Sequence, residues 1–392
     1  RGFTLALIKL LVGNKASGLH LSYVGAGAAK QLCQRVADIG HTNALVVTDK
    51  ALKELGLAEQ ALQGLSESGV NLHWYAGVEP DPTFTHVMEG AKILRATGCT
   101  AIVAVGGGSS MDAAKIIACT RSSDESPDQW VGLNKVPDDI LPVYAIPTTS
   151  GTGSEATMGA VIKDPVERVK MIIAADGLLP QAVALDPELL LGMPPAVTAA
   201  TGIDALTHGI EAYICVWDRG TRKENARLAV QGVFQWLPKA MAEPDNREAR
   251  LGMALAAYHA GVAINQVSVG NVHAIAHQLG ARYGIPHGQA NALALPPVLK
   301  ACVAEAESAL AELAVVTDVS DAASPAARAQ AFIEAVSQLI ADVGIAESDA
   351  RIQPADWTSL THAAMDESDG YVSPRLLTAG EILSILEQIT AR

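Results

Sequence analysis

The chain has 392 residues, enough for one large or two ordinary domains with a substantial buried core, and we expect two. Apolar residues make up 49% of the chain and charged residues 18%, which indicates a compact folded protein and argues against a disordered one. The formal net charge of -14 argues against nucleic acid and anionic membranes as main partners, because both bind basic surfaces.

The cysteines and the apolar segments bear on location. Five cysteines without a C-x-x-C pair indicate neither a disulfide framework nor a thiolate zinc site, so we expect the reducing cytoplasm. The apolar stretch in Arg1–Leu11 is short and interrupted by Lys9, which favours a first strand over a signal peptide. No segment has the uninterrupted run of about 20 apolar residues that a membrane-spanning helix needs, so we expect no membrane partner.

From residue 43 to residue 148, short β-branched runs alternate with amphipathic stretches. This alternation implies right-handed βαβ units and a parallel sheet covered on both faces, in a Rossmann-like α/β domain. The predicted strands are Asn43–Thr48, Asn71–Ala76, Ala101–Val105 and Pro142–Pro147. The predicted helices are Leu52–Ser68, Thr85–Thr97 and Ser109–Cys119.

Beyond Pro194-Pro195 the chain is mostly Ala/Leu-rich with helical spacing, and few strand-like runs remain. We therefore predict an α/β domain over residues 1–195 and an all-helical domain over residues 196–392. The predicted helices of the second domain are Ala196–Cys215, Glu224–Met241, Arg247–Ile264, Val272–Leu279, Gln289–Leu295, Val298–Leu313, Ala326–Val343, Pro354–Met365 and Ala379–Thr390.

The first chemical motif is AIVAVGGGSSMDAAK, residues 101–115, in which a buried strand runs into a glycine-rich helix start. Without Cβ atoms, Gly106, Gly107 and Gly108 let backbone N–H groups approach an anion, and the helix N-terminus adds unpaired donors. This arrangement would suit a pyrophosphate. A tight turn with Ser109 as N-cap explains the same residues about equally well.

Two other glycine patterns resemble a dinucleotide fingerprint, at 25–30 (GAGAAK) and 151–156 (GTGSEA), and are weak evidence without strand and helix around them. The acid that would hold a ribose normally follows the glycines. Here the best residue, Asp49, precedes them, and it would repel a 2′-phosphate and favour NAD over NADP. A solvated acid in a turn is an equal alternative. The hydroxyl-rich segment 147–154 follows the next strand, at the edge of the sheet where ligands collect.

The second chemical motif lies in the helical half. Asp204 and His208 stand at i and i+4 on one helical face, as do His273 and His277, and His287 follows on a turn. Five polar residues on apolar elements point to one internal site, because buried polar groups need partners. Three histidines and a carboxylate suit Zn(II) or Fe(II). Spacing leaves open which of His273 and His277 is the ligand.

Taken together, these residues resemble a known family, the iron-containing (group III) alcohol dehydrogenases. The motifs that carry the resemblance follow the family's order and approximate spacing over residues 106 to 296: GGGSSMDAAK, PTTSGTGSEAT, GMPPAVTAATGIDALTHGIEAY and VHAIAHQLGARYGIPHGQANALALP. The resemblance implies a dinucleotide-binding α/β domain, an all-helical metal-binding domain with the active site in the cleft between them, and a dehydroquinate synthase-like architecture.

Carried onto matching positions, the resemblance implies that the metal ligands are Asp204, His208, His273 and His287. His277 would then be an unligated histidine that faces the nicotinamide and the substrate. The implied NAD contacts are Asp49, Gly106, Gly107, Gly108, Ser109, Thr148, Thr149, Thr152 and Lys170, and we add Asp112 from the same helix start. Where some members carry an Asn that contacts the cofactor, this chain has Asp81.

The expected activity is an NAD-dependent and metal-dependent interconversion of a primary alcohol or diol with its aldehyde. The divalent ion, Fe(II) or else Zn(II), would act as a Lewis acid on the alcohol oxygen, and His277 would relay the hydroxyl proton. The family commonly forms dimers, so a homodimer or higher homo-oligomer is expected. Two alternatives stay open: a lyase of the dehydroquinate synthase type, and a metal-dependent hydrolase whose glycine loop merely binds a phosphate.

Overall fold

The computed structural model describes residues 21–123, 125–164, 169–217 and 220–391. These residues divide into two compact units. The described parts of Gly18–Met193 and Asp245–Ala254 form the first unit, and those of Pro194–Pro244 and Leu255–Arg392 form the second. The strand expected at Arg1–Leu11 lies outside the described residues. Among those that are described, no helix is long and apolar enough to cross a membrane.

Nine strands are described in the first unit: β1 (Leu21–Val24), β2 (Asn43–Asp49), β3 (Asn71–Val78), β4 (Ala101–Gly106), β5 (Gly132–Leu133), β6 (Val143–Pro147), β7 (Gly159–Asp164), β8 (Val169–Ala174) and β9 (Ala182–Leu185). The main sheet has the order β1-β9-β6-β4-β2-β3, and each pair in it is parallel. The predicted parallel sheet is therefore present, with the two short strands β1 and β9 in addition to those predicted.

A second sheet was not expected from the sequence. Strands β5, β8 and β7 form it, and β7 and β8 pair antiparallel. The sequence pattern did not reveal it, because β5 has only two residues and β8 carries a mixture of exposed and buried positions rather than a clean alternation. Strand β7 of this small sheet follows the hydroxyl-rich segment along the chain and helps to anchor it, as described below.

The helices of the first unit are α1 (Ala28–Asp38), α2 (Lys50–Glu54), α3 (Leu57–Ala61), α4 (Gln63–Glu67), α5 (Phe84–Thr97) and α6 (Gly108–Cys119). The prediction of one helix over Leu52–Ser68 is wrong, because three short helices occupy that segment. Gly56, at φ 74°, takes the left-handed conformation that commonly ends a helix. All six residues of β4 are buried, and α6 packs on that strand, so the glycine-rich turn from β4 to α6 is rigidly held.

The described helices of the second unit are α7 (Pro195–Ile214), α8 (Arg222–Ala242), α9 (Arg247–Val267, whose start groups with the first unit), α10 (Asn271–Tyr283), α11 (His287–Val316), α12 (Pro325–Asp342), α13 (Trp357–Ser368) and α14 (Ala379–Ile389). The predicted break at Pro296-Pro297 is wrong, because α11 runs through both prolines. Leu293, Leu295, Val298 and Leu299 are buried on either side, so packing outweighs the local cost of proline.

Candidate metal centre and nucleotide-binding loop

Four buried or half-buried side chains of the second unit converge on one point: Asp204, His208, His273 and His287. One ligand atom from each lies within 4.8 Å of the others. Oδ1 of Asp204 is 3.4 Å from Nε2 of His287, 3.8 Å from Nε2 of His273 and 3.9 Å from Nδ1 of His208. Ligands about 2.1 Å from a tetrahedral ion would lie about 3.4 Å apart, so the observed spacing is close to that of a metal site.

Local sequence explains why these side chains meet. Helix α7 begins at Pro195, where proline is well tolerated, and carries Asp204 and His208 one turn apart. Helix α11 begins with His287, directly after Pro286. A Cβ at Gly288 would overlap the carbonyl of Ala200 on α7, so only glycine lets the two backbones approach this closely. That contact brings His287 within reach of Asp204.

Burial and neighbouring charges set the protonation states of the cluster. Burial lowers the pKa of His208 to about 4, although Asp204 opposes the shift, so its imidazole is neutral at neutral pH. Burial by itself would raise the pKa of Asp204, but the surrounding histidines His208, His287 and His273 hold it well below its usual value. The site therefore presents a carboxylate and a neutral imidazole, both forms that bind cations.

A divalent ion suits these residues on structural grounds. Nδ1 of His208 is buried and has no hydrogen-bond partner among the described residues, which is costly unless something binds it. Three imidazoles and one carboxylate are donors that Zn(II) and Fe(II) both accept. A bound cation would also offset the buried negative charge of Asp204.

Sequence reasoning missed Glu211, which holds His273 in place. Oε2 of Glu211 lies 2.6 Å from Nδ1 of His273 and accepts the backbone N–H of Gly270, and Oε1 accepts that of Val272. Because Nδ1 is occupied in this way, Nε2 of His273 is directed to Asp204. Glu211 follows His208 by three residues on the same face of α7, and that spacing could have identified it.

Sequence reasoning also missed Asn291, a fully buried residue of α11. Its Nδ2 donates to Oδ1 of Asp204 at 2.7 Å and lies 3.2 Å from Nε2 of His273 and 3.4 Å from Nε2 of His287. The amide therefore touches three of the four side chains and fixes the carboxylate of Asp204. It stands one turn after His287, a relation visible in the sequence only once His287 is taken as a ligand.

His277 lies beside this cluster and not within it. Its ring stacks on that of His287, with centroids 5.3 Å apart, and meets the ring of His273 edge-on. Nδ1 of His277 is 2.5 Å from Oε1 of Glu367, on α13. The geometry thus places His273 in the cluster and His277 outside it, a choice that the spacing of the two residues left open.

In the first unit, Gly106, Gly107 and Gly108 form a cradle against the hydroxyl-rich segment. A Cβ at Gly107 would lie 3.2 Å from Oγ1 of Thr149, and one at Gly108 would lie 2.7 Å from Cγ2 of Thr152. Helix α6 starts at Gly108 without a side-chain cap, so Ser109 lies inside the first turn and is not the N-cap. The unpaired N–H groups of that turn are suited to bind an anion.

The two other glycine patterns are used differently. At the start of α1, the backbone N–H of Ala29 donates to the buried carboxylate of Asp186, so an internal acid already occupies that helix end. After Gly151 and Gly153 comes only a single 3-10 turn, Ser154–Ala156, and then strand β7. Among the three patterns, the one at 106–108 has both a full helix and an uncapped start.

The comparisons with known proteins agree with this geometry. The chain matches the family models for iron-containing alcohol dehydrogenase over residues 21–187 and for the C-terminal part of the Fe-containing alcohol dehydrogenase family over residues 198–390. The protein belongs to the iron-containing alcohol dehydrogenase family. This confirms the predicted family and class of enzyme, an oxidoreductase acting on CH–OH groups, and does not favour the lyase or the hydrolase.

Individual members of the iron-containing alcohol dehydrogenase family align over nearly the whole chain. NAD-dependent methanol dehydrogenase of Bacillus methanolicus is 35% identical over 93% of this chain and 97% of its own length. For 1,3-propanediol dehydrogenase of Citrobacter freundii the identity is 34%, over 94% and 97%. The solved alcohol dehydrogenase of Oenococcus oeni superposes with a TM-score of 0.91, at 31% identity, over 95% of this chain and all of its own. The predicted α/β plus all-helical fold class, of dehydroquinate synthase-like architecture, is confirmed.

Two further predicted cofactor residues of this dehydrogenase, Asp49 and Thr148, lie at the carboxyl edge of the main sheet. Asp49 ends β2 and is half-buried, and its carboxylate accepts the N–H of Leu52 as the N-cap of α2. Thr148 directly follows β6 and hydrogen-bonds through its backbone N–H to Gly106, at the end of β4. Parallel strands end on the same side, so these residues and the glycine cradle share one edge.

Two of the predicted cofactor residues already have partners within the protein. Asp112 accepts hydrogen bonds from Ser154 Oγ and from the N–H of Val161. Lys170 forms an ion pair at 2.7 Å with Asp81, the residue that stands where some members carry Asn. Their contacts with NAD stay predictions.

A buried lysine, Lys115, fixes the hydroxyl-rich segment. Its ammonium donates to the hydroxyl and carbonyl of Ser154 and to the carbonyl of Gly159. Since Lys115 lies on α6 and Gly159 begins β7, the small sheet, the threonine segment and the glycine cradle form one hydrogen-bonded assembly.

Proposed function

We propose that this protein is an NAD(H)-dependent, metal-dependent alcohol dehydrogenase that interconverts a primary alcohol or diol with its aldehyde. The single observation that carries the proposal is the convergence of one carboxylate and three imidazoles at a buried point in a member of this family. We assign Asp204, His208, His273 and His287 as ligands of one divalent ion. Fe(II) is the proposed ion, and Zn(II) is the alternative, because both accept this donor set.

When bound, such an ion would supply Lewis acidity toward the alcohol oxygen, and NAD would take the hydride from the carbinol carbon. The chain's own residues prepare the site. Burial keeps His208 neutral, Glu211 aims Nε2 of His273, and Asn291 holds the carboxylate of Asp204. His277 is the proposed acceptor of the hydroxyl proton, because its ring lies against His287 beside the ligands and is not one of them.

The proposed NAD site lies in the first unit. The uncapped start of α6, formed by Gly106, Gly107, Gly108 and Ser109, would receive the pyrophosphate, with hydroxyl donors from Thr148, Thr149 and Thr152. Asp49 would bind the ribose hydroxyls, and Asp112 and Lys170 complete the proposed set. On this assignment residues 1–195 are the NAD-binding domain and residues 196–392 the metal-binding domain.

The proposed substrate is a small alcohol or its aldehyde. Relatives named for methanol and for 1,3-propanediol align over almost their full lengths, which supports a short alcohol or diol. We also propose a homodimer or higher homo-oligomer in the cytoplasm, which sedimentation and cell fractionation would test.

The experiment is a substrate screen at defined metal content. The protein is stripped of metal with a chelator and reloaded with Fe(II) or Zn(II) under anaerobic conditions. It is then incubated with NAD and one alcohol (methanol, ethanol, 1,2-propanediol or 1,3-propanediol), while NADH absorbance is followed. We expect alcohol-dependent NADH formation that the stripped protein lacks. Absence of NADH with either metal and every alcohol, despite stoichiometric metal binding, would refute the proposal.

A further inference from the structure

Glu367, near the end of α13, holds His277 from outside the metal cluster. Its carboxylate lies 2.5 Å from Nδ1 of His277 and accepts hydrogen bonds from the hydroxyl of Tyr371 at 2.6 Å and from Nε2 of Gln278 at 2.7 Å. Tyr371 is buried, and the His277 side chain is only 9% exposed. Two groups from α10, those of His277 and Gln278, and one from the segment after α13, that of Tyr371, thus contact this one carboxylate.

This arrangement determines which nitrogen of His277 carries hydrogen. An ionised carboxylate has no hydrogen to donate, so Nδ1 must be the donor in the pair. In the neutral ring Nε2 is then left as an acceptor. Nε2 makes no hydrogen bond with any residue that the structure describes. The ring is also held against that of His287, at an interplanar angle of 20°.

The same helix carries a second pair of this kind one turn earlier. His273 has its Nδ1 2.6 Å from Glu211, which lies on α7, and its Nε2 3.8 Å from Asp204. The two pairs are alike at the ring and differ in what Nε2 faces. In His273 that atom belongs to the metal cluster, whereas in His277 it has no hydrogen-bond partner among the described residues.

We infer that Glu367 is a positioning residue, which holds His277 in the Nδ1–H tautomer and so presents Nε2 as the hydrogen-bonding atom for the substrate. Tyr371 and Gln278 hold the carboxylate of Glu367 in place against His277. The inference rests on the proposed function, in which His277 contacts the alcohol. It assigns no metal-binding role to Glu367.

The first test reads the tautomer directly, without reference to activity. Zinc-loaded protein labelled with ¹⁵N-histidine is compared by two-dimensional NMR in the wild-type form and as Glu367→Gln and Glu367→Ala, with His277→Ala used to assign the resonance. We expect the Nδ1–H pattern for His277 in the wild type, a mixture in the alanine variant and an intermediate state in the glutamine variant, which keeps an acceptor. An unchanged Nδ1–H pattern in the alanine variant would overturn the inference.

The second test separates positioning from metal binding. Glu367→Ala should bind metal stoichiometrically and keep KM for NAD within about twofold. Its kcat should fall by about 10- to 100-fold, the range seen when a hydrogen-bond partner of a metal-binding histidine is removed. Glu367→Gln should recover part of the lost kcat. Glu211→Ala should instead lose metal. Metal loss in Glu367→Ala as severe as that in Glu211→Ala would refute a role confined to His277.

The matched control is Glu312→Ala. Glu312 also accepts a tyrosine hydroxyl, that of Tyr213 at 2.7 Å, within the same unit, and its other partner among the described residues is Lys223, not a histidine. We expect this variant to keep the wild-type tautomer of His277 and the wild-type kcat. If Glu312→Ala lowers kcat as much as Glu367→Ala, the effect is merely structural and the inference fails. If the wild-type enzyme oxidises no alcohol, the proposed function fails, while the tautomer test still decides the role of Glu367.

Discussion

The glycine cradle of the first unit is made of backbone, whereas the metal cluster of the second unit is made of side chains. Gly106, Gly107 and Gly108 are consecutive, and their value lies in the Cβ atoms that they lack. The four side chains of the cluster come from three helices, and each matters for the nitrogen or oxygen that it carries. Added atoms should therefore damage the cradle, and removed atoms should damage the cluster.

The largest expected effect is the loss of a ligand. His273→Ala should lose metal and reduce kcat/KM by more than about 100-fold, beyond the usual cost of losing an outer-shell partner, because the ion loses a direct donor. His277→Ala should retain metal and lose turnover only. Metal content by mass spectrometry and steady-state kinetics measure both. The ligand assignment is wrong if His277→Ala loses the metal and His273→Ala keeps it.

The next effect is expected from a single added methyl group in the cradle. Gly108→Ala places a Cβ 2.7 Å from Thr152, and overpacking of this kind costs about 1–3 kcal/mol, or about 5- to 150-fold in NAD affinity. Fluorescence titration with NADH measures it. Gly107→Ala, whose Cβ would lie 3.2 Å from Thr149, is the control and should cost less. Equal losses in the two variants, or loss of metal in either, would contradict this account.

How far the sequence predicted these two regions differs for a physical reason. The cradle depends on neighbours along the chain, so the strand, the glycines and the helix could be predicted from one stretch of residues. The cluster depends on residues far apart, and local spacing gave five candidate ligands but could not choose between His273 and His277. What separates them is the surroundings of Nε2, which in His273 lies 3.8 Å from Asp204 and in His277 lies outside the cluster, and that difference exists only in the folded chain.

The fold shows the same limit. Long periodic helices such as α7 and α12 were predicted within about two residues of their bounds. Errors occurred where local and tertiary preferences conflict: Gly56 ends a helix that the apolar pattern would continue, and Pro296-Pro297 fail to end one because the surrounding face is buried. The strands β1 and β9, four residues each, are too short to show a period.

A smaller effect concerns the choice of cofactor. Asp49→Gly should relax the preference for NAD over NADP by about fivefold in the ratio of kcat/KM values, since two charges 4 Å apart in water interact by about 1 kcal/mol. Glycine also serves as an N-cap, so the start of α2 should lose only a few tenths of a kcal/mol. An unchanged NAD/NADP ratio would remove the ribose role of Asp49 and leave it as a cap.

The smallest expected effect is on the pH dependence of thermal stability, for which each region supplies one buried carboxylate. Burial raises the pKa of Glu155, beside Lys115, from 4.5 to about 7, opposite in direction to Asp204. A raised folded-state pKa means that stability is greatest below pH 4.5 and is lost as pH rises through 7. Glu155→Gln should therefore raise Tm by about 2–4 °C per kcal/mol gained, more at pH 8 than at pH 5. A shift in Tm that is equal at both pH values would show that ionisation of Glu155 is not the cause.

Because Glu211 contacts both a histidine of the cluster and the start of a helix, the site cannot be grafted onto another protein as four side chains alone. One carboxylate holds the imidazole of His273 and also accepts the N–H groups of Gly270 and Val272, where α10 begins. A graft of the four ligands alone onto another helical scaffold would leave that ring free to rotate and that helix start without its acceptor. The smallest portable unit therefore includes Glu211 and Asn291, and its recipient must offer three converging helices, two of which start at the graft itself.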